Sequence, residues 1–172
     1  MANCLICDTT YSPFIDFGEM PIANAFATKE EIKNEYTFPM KVGFCENCNM
    51  VQLVEQPDRE QMFHENYAFF SSTSSYMQDH FKKFANSVSE LQGLNKNSFV
   101  VEVGCNDGIM LQNFMSNNIP CLGIEPSENV AKVAMAKGIE VMTEFFDQAL
   151  AENILELHQK ADAILSANVM CH

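Results

Sequence analysis

The sequence predicts an α/β protein in which a small zinc-binding module precedes a domain built on a parallel sheet, and three observations carry that prediction. Cys4-Leu5-Ile6-Cys7 and Cys45-Glu46-Asn47-Cys48 form two Cys-x-x-Cys knuckles separated by 37 residues. Phe99-Val100-Val101-Glu102-Val103 is an apolar, β-forming run that enters the glycine turn Gly104-Cys105-Asn106-Asp107-Gly108. From that turn to the last residue, strand-like and helix-like segments alternate, which is the pattern of right-handed crossovers in one parallel sheet.

The chain of 172 residues is 47% hydrophobic, enough for a packed core, and carries a net charge of −13 with only ten Lys plus Arg. So few cations cannot neutralise a phosphate backbone or hold an anionic bilayer, so neither a nucleic acid nor a membrane is expected as a partner. The start lacks the basic and apolar regions of a signal peptide, and no run approaches the ~18 apolar residues of a spanning helix. A cytoplasmic location is expected, where seven cysteines serve as thiols or metal ligands rather than as a disulfide framework.

Each knuckle presents two thiolates, and the two together complete the four-sulfur tetrahedral shell of a structural Zn²⁺ with no vacant position. Cys4, Cys7, Cys45 and Cys48 are therefore the expected metal ligands; a rubredoxin-like iron site uses the same spacing. Zinc accounts for how a region rich in Pro13, Gly18, Pro21, Pro39 and Gly43 folds on a small core. Between the knuckles, residues 14–18 read as a strand, 20–26 as an extended segment and 30–35 as a solvated turn. Residues 50–54 alternate as a strand until Pro57, so the module is assigned to 1–57. Residues 58–98 form a connector and helix. Ser71-Ser72-Thr73-Ser74-Ser75, beside Tyr67, Phe69 and Phe70, suits either a helix-entry turn with Ser75 and Gln78 as a capping box or a lid over cofactor and substrate. Met77, Phe81, Phe84, Val88 and Leu91 make one apolar stripe, expected to be core, before Gly93 ends the helix.

Residues 99–172 form the parallel-sheet domain. A glycine at the exit of a strand lets the backbone approach a ligand, and the helix that follows aims free N–H groups at it, with Asp107 expected at the N-cap. Ile109, Met110, Leu111 and Phe114 face that helix inward, and Pro120 opens the second strand, Cys121-Leu122-Gly123-Ile124. This strand ends in Glu125, about twenty residues past the turn, where an acid can accept from ribose hydroxyls. Ser127 is expected to cap a helix through Val130, Val133 and Ala134 to Gly138, before a third strand at 139–142. Asp147 caps a helix carrying Leu150, Ile154 and Leu157, before a fourth strand at 161–168. That last strand is apolar with one side unpaired, a liability that native sheets cover, so the sheet is expected to be cut short. A nicotinamide site would use the same strand and turn, but the usual Gly-x-Gly-x-x-Gly is absent.

The knuckles, Gly18-Glu19-Met20-Pro21-Ile22-Ala23-Asn24-Ala25-Phe26, Tyr67 with Ser71-Ser72-Thr73-Ser74, residues 101–108, Gly123-Ile124-Glu125-Pro126, Glu144-Phe145-Phe146 and Ala167-Asn168-Val169-Met170-Cys171-His172 resemble the S-adenosylmethionine-dependent sugar C-methyltransferases. The resemblance covers essentially the whole chain. It implies a zinc-binding module, a partial Rossmann-like class I methyltransferase domain truncated after its fourth strand, and a further domain that an N-terminal fragment would lack. It also implies methylation at C3 of a nucleotide-linked 4-keto deoxysugar, this keto-deoxysugar being the expected substrate partner. By resemblance, Gly104, Asn106 and Asp107 cradle the methionine moiety of S-adenosyl-L-methionine, Glu125 holds the ribose, and Phe145 with Phe146 flanks the adenine. Asn168 joins this cofactor-binding set. Tyr67 and His172 fall where the family places active-site groups near the sugar, and a histidine base would lie downstream of residue 172. Asn106 stands where other methyltransferases usually carry glycine. A reading of a different class is a non-catalytic zinc-ribbon and nucleoside-binding protein used for protein contacts.

Overall fold

The computed structural model describes residues 1–23 and 26–170 and divides into two compact units, Met1–Phe63 and His64–His172. In the first, β1 (Ala2–Asn3) pairs antiparallel with β2 (Thr10–Tyr11), and β3 (Pro13–Pro21), β4 (Thr37–Phe44) and β5 (Val51–Leu53) form an antiparallel meander. The strand expected at 14–18 runs on to Pro21, because the pairs Met20 with Phe38 and Pro21 with Thr37 continue the ladder past two register shifts. The extended segment expected at 20–26 is thus partly strand, and its Asn24 and Ala25 lie outside the described residues. The stretch at 30–35 contains a 3₁₀ turn, Glu31–Asn34. Its entry is closed reciprocally, with the Thr28 N–H donating to Glu31 Oε2 and the Glu31 N–H donating to the Thr28 hydroxyl. Helix α1 (Arg59–Met62) closes the unit, with the Asp58 side chain accepting from the Glu60 N–H. The buried cluster here is Cys4, Tyr11 and Cys45, with Phe38 buried apart from it, a set too small to hold the unit without the metal the cysteines would bind.

The second unit runs α2 (Ser75–Gln92), β6 (Val100–Val103), α3 (Leu111–Ser116), β7 (Cys121–Ile124), α4 (Glu128–Ala136), β8 (Glu140–Met142), α5 (Gln148–Leu157) and β9 (Ala163–Ser166). All four strands are parallel in the order β8-β7-β6-β9. The order reverses at β6, and in open parallel sheets ligands bind outside the carboxyl ends of the strands beside such a reversal. Both faces are covered. Val100, Leu111, Phe114, Ala134 and Ile139 pack with Ala85 of α2 on one side, while Val101, Val103 and Ile124 pack with Leu150 and Ile154 of α5 on the other.

Several local expectations shift. Ser74, not Ser75, caps α2 by accepting from the Met77 N–H, and the Gln78 amide instead donates to the Ser72 carbonyl. Within the apolar stripe, Phe81 and Val88 pack on the core around the fully buried Ala85, whereas Phe84 and Leu91 are exposed, because the buried face of α2 is centred on Ala85. Leu157, in the last turn of α5, is likewise exposed. Asp107 is not the N-cap of α3: the turn is longer than its glycines suggest, the helix begins at Leu111, and Met110 precedes it. Ser127 and Asp147 occupy N-cap positions, but only Asp147 accepts a capping bond, from the Leu150 N–H. Strand β9 lies at the edge of the sheet with Ile164 exposed.

Candidate functional site

The two knuckles are built alike. The Cys4 N–H donates to the Thr9 carbonyl and the Asp8 N–H to the Cys4 carbonyl; five residues into the second knuckle, the Cys45 N–H donates to the Met50 carbonyl and the Asn49 N–H to the Cys45 carbonyl. Asp8 and Asn49 take the same left-handed backbone, φ 60° and 61°, a conformation that Asp and Asn tolerate. This repeat aims four sulfurs at one point, all within 4.8 Å of one another, with Cys4 and Cys48 Sγ 3.5 Å apart and Cys7 and Cys45 Sγ 3.6 Å apart. Tetrahedral zinc with Zn–S of ~2.3 Å needs sulfurs ~3.8 Å apart, so the four residues fit the ion. The Asn47 side chain, followed by the Thr9 hydroxyl, lowers the Cys7 thiol to about 5, while, against the pull of the Met50 N–H, burial and then the three other sulfurs push the Cys48 thiol up to about 12, so the four thiols share one site. Gln52, almost wholly buried, donates to Cys4 Sγ at 3.1 Å and accepts from the Leu5 N–H at 3.0 Å, orienting the first knuckle from behind.

The second site forms at the carboxyl ends of the parallel strands. Gly104, Asn106 and Asp107 follow β6, Glu125 follows β7, Phe145 and Phe146 follow β8, and Asn168 follows β9, so the sheet brings all seven to one end. Gly104 has φ 71° and Gly108 φ 76°, and a side chain on Gly104 would overlap Val169. The Gly104 N–H holds the Ile124 carbonyl at 2.7 Å, and the Asn106 N–H donates to Glu125 Oε2 at 3.0 Å. Glu125 Oε1 accepts from the Ser127 N–H at 2.8 Å. Burial pushes the Glu125 carboxyl up from its usual range against the pull of those N–H donors.

The side chains of Asn106 and Asp107 turn towards residues 67–73. Asn106 Nδ2 donates to the Phe69 carbonyl at 3.0 Å, and its Oδ1 accepts from the Ser71 N–H at 2.9 Å. The Ser72 N–H and hydroxyl each donate to Asp107 at 2.8 Å. Asn129 Nδ2 donates to the Tyr67 carbonyl at 2.7 Å. The strap is therefore stitched along its length to the glycine turn and α4. The Tyr67 phenol is raised by burial and then by the charge of Glu125, which keeps it a neutral donor near that carboxylate. Cys171 and His172 lie outside the described residues.

Among the described residues, Glu102 Oε2, Ser127 Oγ and Asn129 Oδ1 are buried with no hydrogen-bond partner, and Ser127 and Asn129 lie at this end, at the start of the helix that follows Glu125. An unmet hydroxyl and an unmet amide oxygen beside Glu125 are groups that an amino-acid and ribose-bearing cofactor would satisfy, so the residues present fit S-adenosylmethionine. The sequence assigns none of Glu102, Ser127, Asn129 and Lys137 to the site and gives Ser127 only as a helix cap. Glu102 alone has a legible signal, as the one charge inside an apolar, doubly covered strand. Burial, with Glu125 and Asp107 nearby, raises its carboxyl to about 8, so it stays protonated in the folded protein at neutral pH. An unfolded chain releases that proton near its ordinary value, so the protein loses stability as pH rises from about 4.5 to about 8 and the loss is constant above that. Glu102→Gln removes the dependence. Between pH 5.5 and 8, its stability advantage over the parent in urea denaturation is expected to grow by on the order of 2–3 kcal/mol.

Among the described residues, no helix is long and apolar enough to cross a membrane. Residues 4–63 match a family described as a zinc binding domain, and residues 73–172 match the family described as "Methyltransferase domain". "C-methyltransferase NovU" of Streptomyces niveus is 27% identical over 172 residues, covering 99% of this chain and 41% of NovU. The chain thus spans less than half the length of that relative.

Proposed function

The chain belongs to the methyltransferase-domain family, and we propose that it is the cofactor-binding part of an enzyme that methylates C3 of a nucleotide-linked 4-keto deoxysugar. The observation that carries the reading is the convergence of the glycine turn, Glu125, the Phe145-Phe146 pair and Asn168 at one end of the sheet, against a strap that bears Tyr67. Similarity along the whole chain to a C-methyltransferase supports carbon as the acceptor.

S-adenosylmethionine supplies an electrophilic methyl group on a sulfonium. The backbone of Gly104, Asn106 and Asp107 cradles its methionine end, Glu125 accepts from its ribose through lone pairs beyond its two N–H bonds, and Phe145 and Phe146 flank its adenine. A hydrogen on the carbon beside the sugar ketone is acidic enough for a positioned base to remove. S-adenosylmethionine, held by these residues, would supply the methyl electrophile for the enolate carbon that such a base generates. Tyr67, held neutral by burial and the Glu125 charge, donates a hydrogen bond to the enolate oxygen. His172, which lies outside the described residues, is carried in the same proposal as the second group near the sugar.

The test is titration of the chain, saturated with S-adenosylhomocysteine, by a nucleoside-diphosphate 4-keto-6-deoxysugar. Binding that weakens several-fold in Tyr67→Phe is expected for loss of one hydrogen bond to the ketone oxygen that becomes the enolate oxygen. Cofactor binding with no response to any keto sugar would contradict the sugar reading and favour a non-catalytic module.

A further inference from the structure

We propose that Lys137 is a positioning residue of the cofactor site: its ammonium, seated between the glycine turn and the strap, holds residues 67–73 closed on the turn. The proposal rests on the reading of this crevice as the S-adenosylmethionine site. Lys137 is the first residue past α4, where the end of a helix favours a cation. Its Nζ donates to the Asp107 carbonyl at 2.6 Å and to the Ser72 hydroxyl at 3.0 Å, and lies 3.9 Å from Asp107 Oδ1. One group thus grips the backbone of the turn, the hydroxyl of the strap, and the carboxylate that joins them.

The charge has a further reason to be there. Glu102, Asp107 and Glu125 are all buried around the turn, and the Lys137 side chain, itself largely covered, sets a cation 3.9 Å from the Asp107 carboxylate. A carboxylate taken out of water is costly unless a charge or donor meets it. Asp107 spends both oxygens on Ser72, and without Lys137 the buried carboxylate would hold the strap with no cation beside it. Nothing in this arrangement places Lys137 against the reacting atoms; it acts through Asp107 and Ser72.

The experiment compares the intact zinc-loaded chain with Lys137→Met and Lys137→Arg. Calorimetric titration reads affinity for S-adenosylhomocysteine, and hydrogen exchange reads the Ser71 and Ser72 amides. Lys137→Met is expected to weaken binding by about tenfold or more and to speed exchange at those two amides, with zinc content unchanged. Lys137→Arg, which keeps the charge and the donors, is expected to recover most of both, a rescue that simple filling of space would not give. Should Lys137→Met not fold, Ser72→Ala removes the shared hydroxyl and carries the same expectation. Parent-like binding in Lys137→Met, or faster exchange without weaker binding, overturns the proposal while leaving the cofactor reading intact. A parent chain that does not bind S-adenosylhomocysteine overturns both.

Discussion

Gly104→Val abolishes binding of S-adenosylhomocysteine and leaves the four-cysteine site loaded with zinc. Gly104 sits at φ 71°, in the left-handed region, where a β-branched side chain costs about 1–3 kcal/mol before any contact is considered. The added Cβ would also overlap Val169, which packs beside the α5 core cluster. Either the turn leaves the Ile124 carbonyl that its N–H holds, or the segment after β9 moves away. Both displace the backbone of the proposed cradle, and the Asn106 and Asp107 bonds to the strap move with it. The zinc ligands all belong to the other compact unit and share no residue with this one. Calorimetry beside a zinc assay on the same preparation checks both halves. Parent-like affinity in the variant would mean that the turn is not the cradle.

Cys45→Ser loses zinc and soluble expression together. Cys45 is wholly buried at the centre of the small core with Cys4 and Tyr11, and its sulfur is 3.6 Å from that of Cys7. A serine hydroxyl does not ionise at neutral pH and is a poor zinc ligand, so three cysteines remain for an ion that a closed site holds with four. Binding of structural zinc is worth about 10–16 kcal/mol, far more than so small a core supplies, so loss of the ion removes most of what folds the unit. Native mass spectrometry of any soluble fraction, with circular dichroism, reads the outcome. One zinc per chain retained after the substitution would mean that the ligand set is wrong.

The features read correctly from sequence are those whose chemistry is local. Two Cys-x-x-Cys pairs specify a four-sulfur site wherever the intervening chain goes, and an apolar strand meeting Gly104 specifies a strand-to-helix turn from its own backbone needs. The order of strand and helix segments was enough to give four parallel strands with β9 at the edge. What escaped depends on residues far apart in the chain. Asn106 and Asp107 meet Ser71 and Ser72 across 35 residues, and that pairing sends their side chains to the strap and displaces Asp107 from the N-cap that its position next to the helix suggested. Ser74 rather than Ser75 caps α2 because the 3₁₀ turn Ser71–Thr73 sets where the helix can begin. Phe84 and Leu91 fit the helical period but not the face that α3 and the sheet cover. Lys137 carries no signal in the sequence, and only the fold gives it partners.

The account stands or falls on whether the carboxyl end of this sheet is a cofactor site. Calorimetric titration of the zinc-quantified chain with S-adenosylhomocysteine tests it most directly. One site of micromolar affinity, lost in Gly104→Val, is the expected result. A folded, zinc-loaded chain that takes up no S-adenosylhomocysteine, with the Ser71 and Ser72 amides exchanging at the same rate with and without it, would contradict the account.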